Sequence, residues 1–197
     1  MRSGRDLFEV ILESLQRFED FYSRSELPAF DRLWRWQGSG NRRTQFEPKD
    51  EESLSDELAR WLRDDIGKES GVVVGREVQV ERGMRTDLLV TAIAAETEKD
   101  AAELDTVVVE VKGCWNPRVK EDLEEQLVEK YLIKHAWKFG IYVVGWFICD
   151  KWQDGKNFLS STTLEAAKRE LAQLAEDASK RHSELTLAGQ VLDCRFR

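Results

Sequence analysis

Three charged residues stand where apolar strands would be expected to exclude them. Glu110 and Lys112 fall in the run D-T-V-V-V-E-V-K (105–112), and Asp87 lies near the head of T-D-L-L-V-T-A-I-A (86–94). A charge in a valine-rich strand is costly unless it is used, so all three are candidates for chemistry. Two carboxylates can hold a hard divalent cation, Mg2+ first, which keeps several waters and accepts a phosphate oxygen. Such a cation polarises a phosphodiester and lowers the pKa of a bound water. An ammonium beside it orients that water and stabilises developing negative charge. The expected outcome is a hydrolysed phosphodiester.

The elements around these residues must bring them together. Glu110 and Lys112 are two apart and project to one face of a strand, while Val111 points the other way with Val107 and Val109. A hairpin centred near residues 98–99 sets Asp87 opposite Glu110. Upstream, Asp50 can cap a helix over 51–66, with Leu54, Leu58, Trp61, Leu62 and Ile66 as its buried stripe and Gly67 as its stop. Strands are expected over 71–81, 86–94 and 105–112, with a turn at Arg82-Gly83 and a charged, Ala-rich loop from Ala95 to Leu104. Gly113 breaks the third strand. A helix is expected from Pro117 to Lys134, with Leu123, Leu127, Val128, Tyr131 and Leu132 inward. A central strand (141–149), a long helix (163–181) and a last strand (186–195) complete an α/β pattern.

Ahead of this pattern, 6–22 has helical spacing at Leu7, Val10, Ile11, Leu15 and Phe18. Residues 29–36 (AFDRLWRW) read as a second, shorter helix, and the following GSGNRRTQFEPKD reads as a linker or loop. The expected organisation is a helical extension with linker over 1–45 and a main domain over 48–197.

Composition narrows the function classes. With 41% hydrophobic and 35% charged residues in 197, the chain is globular rather than disordered. No apolar run approaches the ~20 residues of a membrane span, and no signal peptide is recognised. The expectation is a cytoplasmic protein with no membrane association. Cys114, Cys149 and Cys194 are widely spaced, the histidines (His135, His182) are far apart, and no C-x-x-C pair exists. Reduced thiols fit this better than zinc or disulfides. The net charge of −8 argues against a free-standing, tight nucleic-acid binder. It does not exclude a metal-dependent enzyme, in which the cation meets the phosphate. No P-loop is present.

T-D at 86–87 followed by E-V-K at 110–112, after an acidic helix and before another helix, resembles the PD-(D/E)xK, or restriction-endonuclease-like, nuclease superfamily over about residues 48–150. Thr86 stands where the motif name has proline. The resemblance implies an αβββαβ core, a central mixed sheet flanked by helices, and a deoxyribonuclease dependent on Mg2+ or Mn2+. It implies metal ligation by Asp87, Glu110 and Val111, with Lys112 assisting catalysis. It adds an acid from the first helix, Glu51 by preference, with Asp56 and Glu57 as fallbacks. The superfamily's exonuclease branch places a Gln, often with a Tyr, on the helix after the Lys. Gln126 and Tyr131 resemble that pair, at a spacing of five instead of four.

Longer strings (G-R-E-V-Q-V, R-T-D-L-L-V, V-E-V-K-G-C-W, Y-V-V-G-W-F) resemble uncharacterised C-terminal domains of large bacterial multidomain proteins, some of them in phage defence. This implies DNA as the partner, other domains or subunits that supply the grip on it, and room for a homo-oligomer. The alternative is a catalytically weak nuclease-like module for interaction or targeting. A carboxylate-pair glycosidase is remote, because the lysine has no role there.

Other residues carry weaker signals. Trp115 and Asn116 could stack on a base, with packing as the ordinary alternative. Glu77 and Gln79 could border the site or be solvated strand positions. Arg118, Lys120, Lys130, Lys134 and Lys138 give one helix a basic side. Glu121, Asp122, Glu124, Glu125 and Glu129 share that helix, so a mixed solvated face is expected. His135 and His182 suit helix C-termini.

Overall fold

The computed structural model describes residues 3–24, 29–37, 44–67, 71–81, 84–93, 104–152, 157–159, 161 and 163–196. The expected turn at Arg82-Gly83 and the loop over 95–103 lie outside the described residues. The order matches the sequence pattern from the helix over Glu51–Asp65 onward: α1 (Gly4–Arg24), β1 (Trp34–Gln37), β2 (Thr44–Pro48), α2 (Glu51–Asp65), β3 (Val72–Glu81), β4 (Met84–Ile93), β5 (Leu104–Gly113), α3 (Leu123–Ile133), β6 (Phe139–Trp146), α4 (Leu164–Arg181) and β7 (Thr186–Asp193).

β3 to β7 form one five-stranded sheet in sequence order. β3–β4 and β4–β5 pair antiparallel, whereas β5–β6 and β6–β7 pair parallel, with α3 and α4 as the crossovers. The sheet is therefore mixed and flanked by helices. β5 and β6 are its interior strands of highest apolarity. Val107, Val108, Val109, Ile141, Val143 and Val144 are all fully buried, as expected where both sheet faces are covered.

Glycines locate the layers. A Cβ at Gly140 would meet Leu132 and Leu127 of α3, one at Gly189 would meet Leu171 of α4, and one at Gly145 would meet Leu54 of α2. Gly189 pairs with Tyr142 and Gly140 with Val108. By alternation along the strands, α3 and α4 cover the face that carries Glu110, Lys112 and Tyr142. α2 covers the other face. Asp50 caps α2, its Oδ1 accepting from the Ser53 amide at 2.9 Å, and Thr163 caps α4 in the same way through Ala166.

Two features of the first residues differ from expectation. Residues 29–36 are not a helix. A 3-10 turn spans Ala29–Arg32 and a strand follows. W-R-W-Q alternates, with Trp34 buried and Arg35 exposed, and aromatic residues at period two favour a strand. β1 pairs antiparallel with β2, so the tail of the expected linker is also strand; residues 38–43 lie outside the described residues. The helix expected as part of an extension, α1, shares the main core: Leu7, Ile11, Leu15 and Phe18 are fully buried there.

α3 also differs in winding. It is π-helical over Leu123–Ile133, after turns at 117–120. Its inward residues are the expected Leu123, Leu127, Val128, Tyr131 and Leu132. These positions admit the α pitch and the wider turn of i→i+5 bonding alike.

Candidate active site

The β4–β5 ladder runs from Ile93↔Leu104 to Leu88↔Val109. One further step in that register sets Asp87 across from Glu110, the arrangement expected from the sequence. Asp87 Oδ2 accepts from the Val111 amide at 2.8 Å, which ties the carboxylate to the neighbouring strand. The Val111 side chain lies in the core, 1% exposed, so the atom it could offer a cation is its carbonyl oxygen. Thr86, at the motif's proline position, points to the opposite face of β4 from Asp87.

Glu110 is 2% exposed and Lys112 7% exposed. Lys112 Nζ donates to Glu110 Oε1 at 2.8 Å and to Gln126 Oε1 at 3.0 Å, and lies 3.8 Å from Asp122 Oδ2. The lysine is thus held among three oxygens from β5 and the head of α3. The other oxygen of Glu110, Oε2, is buried with no partner.

Burial pushes the Glu110 carboxyl up to about 8, and the negative charge of Asp87 adds to the rise against the pull of Lys112. Asp87 is raised for the same first reason, with the Val111 amide and Lys112 opposing. Burial works to lower Lys112, but the Glu110 carboxylate and the hydrogen bond to it outweigh burial and hold the ammonium above its ordinary value. A buried acid inclined to keep its proton, beside a second acid and with a bare oxygen, gains from a cation that replaces the proton.

α3 contributes two further residues. Gln126 reaches Lys112, and the Tyr131 hydroxyl donates to the Arg85 carbonyl, two residues before Asp87. Five residues on an α-helix are about 140° apart, yet at roughly 4.4 residues per π-turn they are about 50° apart. The π winding therefore puts Gln126 and Tyr131 on one side despite their spacing.

Glu51 takes a different position from Asp87 and Glu110. Its Oε1 accepts from the Gly113 amide at 2.9 Å and from Asn116 Nδ2 at 3.0 Å. It clamps the turn that follows Lys112, and its charge still contributes to holding that lysine protonated. The fallback acids are engaged elsewhere. Asp56 Oδ1 accepts from Arg76 at 2.6 Å. Glu57 is buried in a cluster with Tyr22, Arg32 and Arg60 on the α1 side.

Asp122 is a correction to the mixed solvated face expected for α3. It is 2% exposed and bonds Arg118 Nε at 3.1 Å besides facing Lys112. Tyr142, pairing laterally with Glu110, is a second residue the sequence did not single out. Among the weaker signals, Trp115 packs edge-on to Trp152 and tilts against Phe147, and it also lines a cleft of about 470 Å3 with Asn116 and the first residues of α2. Glu77 pairs with Arg76 and Arg85. Gln79 is exposed and paired across the ladder with Arg85. His182 caps α4 and contacts Glu124, while His135 stacks on Trp137. Cys114 and Cys194 are buried free thiols and Cys149 is half-buried.

Among the described residues, no three His, Cys, Asp or Glu side chains form a preformed metal cage. Mg2+ does not need one, since it is commonly bound through one or two carboxylates and retains its waters. The unpartnered Oε2 of Glu110 beside Asp87 fits such an ion. No helix among the described residues is long and apolar enough to cross a membrane. Comparison of the chain with protein-family models, with curated proteins and with solved structures gives no match.

Proposed function

We propose that this chain is a Mg2+-dependent nuclease domain of the PD-(D/E)xK, restriction-endonuclease-like type, hydrolysing phosphodiester bonds of DNA. One observation carries the reading: Glu110 is buried in the sheet with Lys112 on one oxygen and no protein group on the other. A protein has little reason to keep an acid so placed unless something outside the chain completes it. The order helix, three strands, helix, strand around it, with Asp87 directly across the β4–β5 ladder, is the arrangement the superfamily would need.

When bound, Mg2+ or Mn2+ would polarise the phosphate and acidify a water. Asp87, Glu110 and the Val111 carbonyl would hold it. Lys112 brings positive charge to where negative charge develops on the phosphate. Gln126 and Asp122 hold the Lys112 ammonium in place, and Glu51 fixes the backbone just beyond it. The net charge of −8 is consistent with a grip on DNA supplied by other domains or subunits, as in the effector part of a bacterial defence system.

The test is cleavage of double- and single-stranded DNA with Mg2+ or Mn2+. Lys112→Ala lowers cutting by about 10²-fold or more and Asp87→Ala does likewise, with the fold checked by circular dichroism. Cutting that survives either substitution sinks the assignment. A second reading, a nuclease-like interaction module with weak chemistry, draws on the backbone amides that already occupy oxygens of Asp87 and Glu51. Retained DNA or partner binding with no heat of Mn2+ binding would favour it.

A further inference from the structure

Tyr142 lies beside Glu110 in the parallel β5–β6 ladder. Paired residues on neighbouring strands point to the same face, so the phenol and the carboxylate stand side by side beneath α3. Both residues are enclosed: Tyr142 is 0% exposed and Glu110 2%. Each ends in an oxygen that no protein group satisfies, the Tyr142 hydroxyl and Glu110 Oε2. The two do not bond each other directly. Burial pushes the phenol's pKa up, and the carboxylates of Asp122, Glu110, Glu51 and Asp87 push it further. Tyr131 faces the same acids from α3, but its hydroxyl already has the Arg85 carbonyl.

Two enclosed oxygens, both unmet and carried by laterally paired residues, are the setting in which proteins keep a buried water, which can donate as well as accept. We propose that Tyr142 is a positioning residue of this site, its hydroxyl holding the free oxygen of Glu110 through one buried water molecule. Glu110 is then fixed at both oxygens: Lys112 holds Oε1 directly and Tyr142 holds Oε2 through the water. The water itself does not depend on the nuclease reading. Its effect on a cation at Oε2 does rest on that reading, because a carboxylate already aimed loses less freedom on ligation.

Three measurements test this. A high-resolution crystal structure of the metal-free protein is expected to show an ordered water within about 3 Å of both the Tyr142 hydroxyl and Glu110 Oε2. Its absence overturns the proposal. Tyr142→Phe removes only the hydroxyl. With the water in place, the substitution lowers Tm by about 2–4 °C. A rise in Tm would mean that the hydroxyl had no partner to lose, which also overturns the proposal. Calorimetric titration with Mn2+ is expected to show affinity falling about three- to tenfold in Tyr142→Phe. Equal affinity in the two proteins rejects the positioning role. If the native protein binds no Mn2+, the nuclease reading falls, and the crystal structure and Tm still decide on the water.

Discussion

Glu110 makes the stability of the protein depend on pH in a direction opposite to that of most carboxylates. Its native value of about 8 lies above the ordinary 4.5, so the folded protein keeps a proton that the unfolded chain gives up. That stabilisation is complete below about 4.5 and is lost as pH rises through about 8. On the proposed function, a divalent cation at Oε2 would displace the proton, so Mn2+ is expected to raise Tm more at pH about 9 than at about 6. Scanning calorimetry with and without Mn2+ checks this; an equal gain at both pH values would contradict it. Glu110→Gln imitates the protonated acid and removes both the slope and the gain. Asp87, Glu110 and Lys112 were legible in the sequence because a charge among valines is conspicuous. Asp122 was hidden in a row of acids with no sign of which one turns inward. Tyr142 was hidden because, in I-Y-V-V, a tyrosine looks like any other core residue.

At the scale of elements, backbone approach between β7 and α4 is the sharpest constraint. A Cβ on Gly189 would lie 2.4 Å from the Leu171 carbonyl oxygen and 2.8 Å from its carbon. These are backbone atoms of α4 and cannot swing aside. Gly189→Ala is expected to cost about 2 kcal/mol or more, lowering Tm by roughly 4–8 °C, as thermal denaturation would show. An unchanged Tm would mean that α4 is free to shift. Most strands and helices were legible because their periods are clean and their caps conventional, as with Asp50 and Thr163. β1 was not. Its four residues are too few to separate period two from 3.6, and a helical reading absorbed them. Nor was the π winding of α3 visible, since its apolar positions fit either pitch. That winding is what sets Gln126 and Tyr131 on a common side.

For the whole molecule, α1 decides whether the rest stands. Leu7, Ile11, Leu15 and Phe18 are each 0% exposed, and burying a side chain of this size contributes about 1.5–3 kcal/mol. Together they amount to about as much as the entire net stability of a typical domain. A chain lacking residues 1–45 is expected not to fold cooperatively; a sharp thermal transition in that truncation would contradict this. The place of α1 was not legible because its partners are far away along the chain. Glu19 accepts from the Asp193 amide at 3.1 Å and pairs with Lys168; on β1, Trp34 Nε1 likewise donates to the distant Cys194 carbonyl at 2.8 Å.

The bond from Glu19 to β7 also imposes an order of events during synthesis. α1 leaves the ribosome early, yet the strand edge that receives it is made more than 170 residues later, at a separation of 174. α1 meets α2, β5 and β6 before then, and β7 completes the surface; contacts across so long a span are slow to close. The nascent chain therefore carries Asp87, Glu110 and Lys112, on β4 and β5, well before the last strand of their sheet is made. Their sheet gains its last edge only once β7 has emerged.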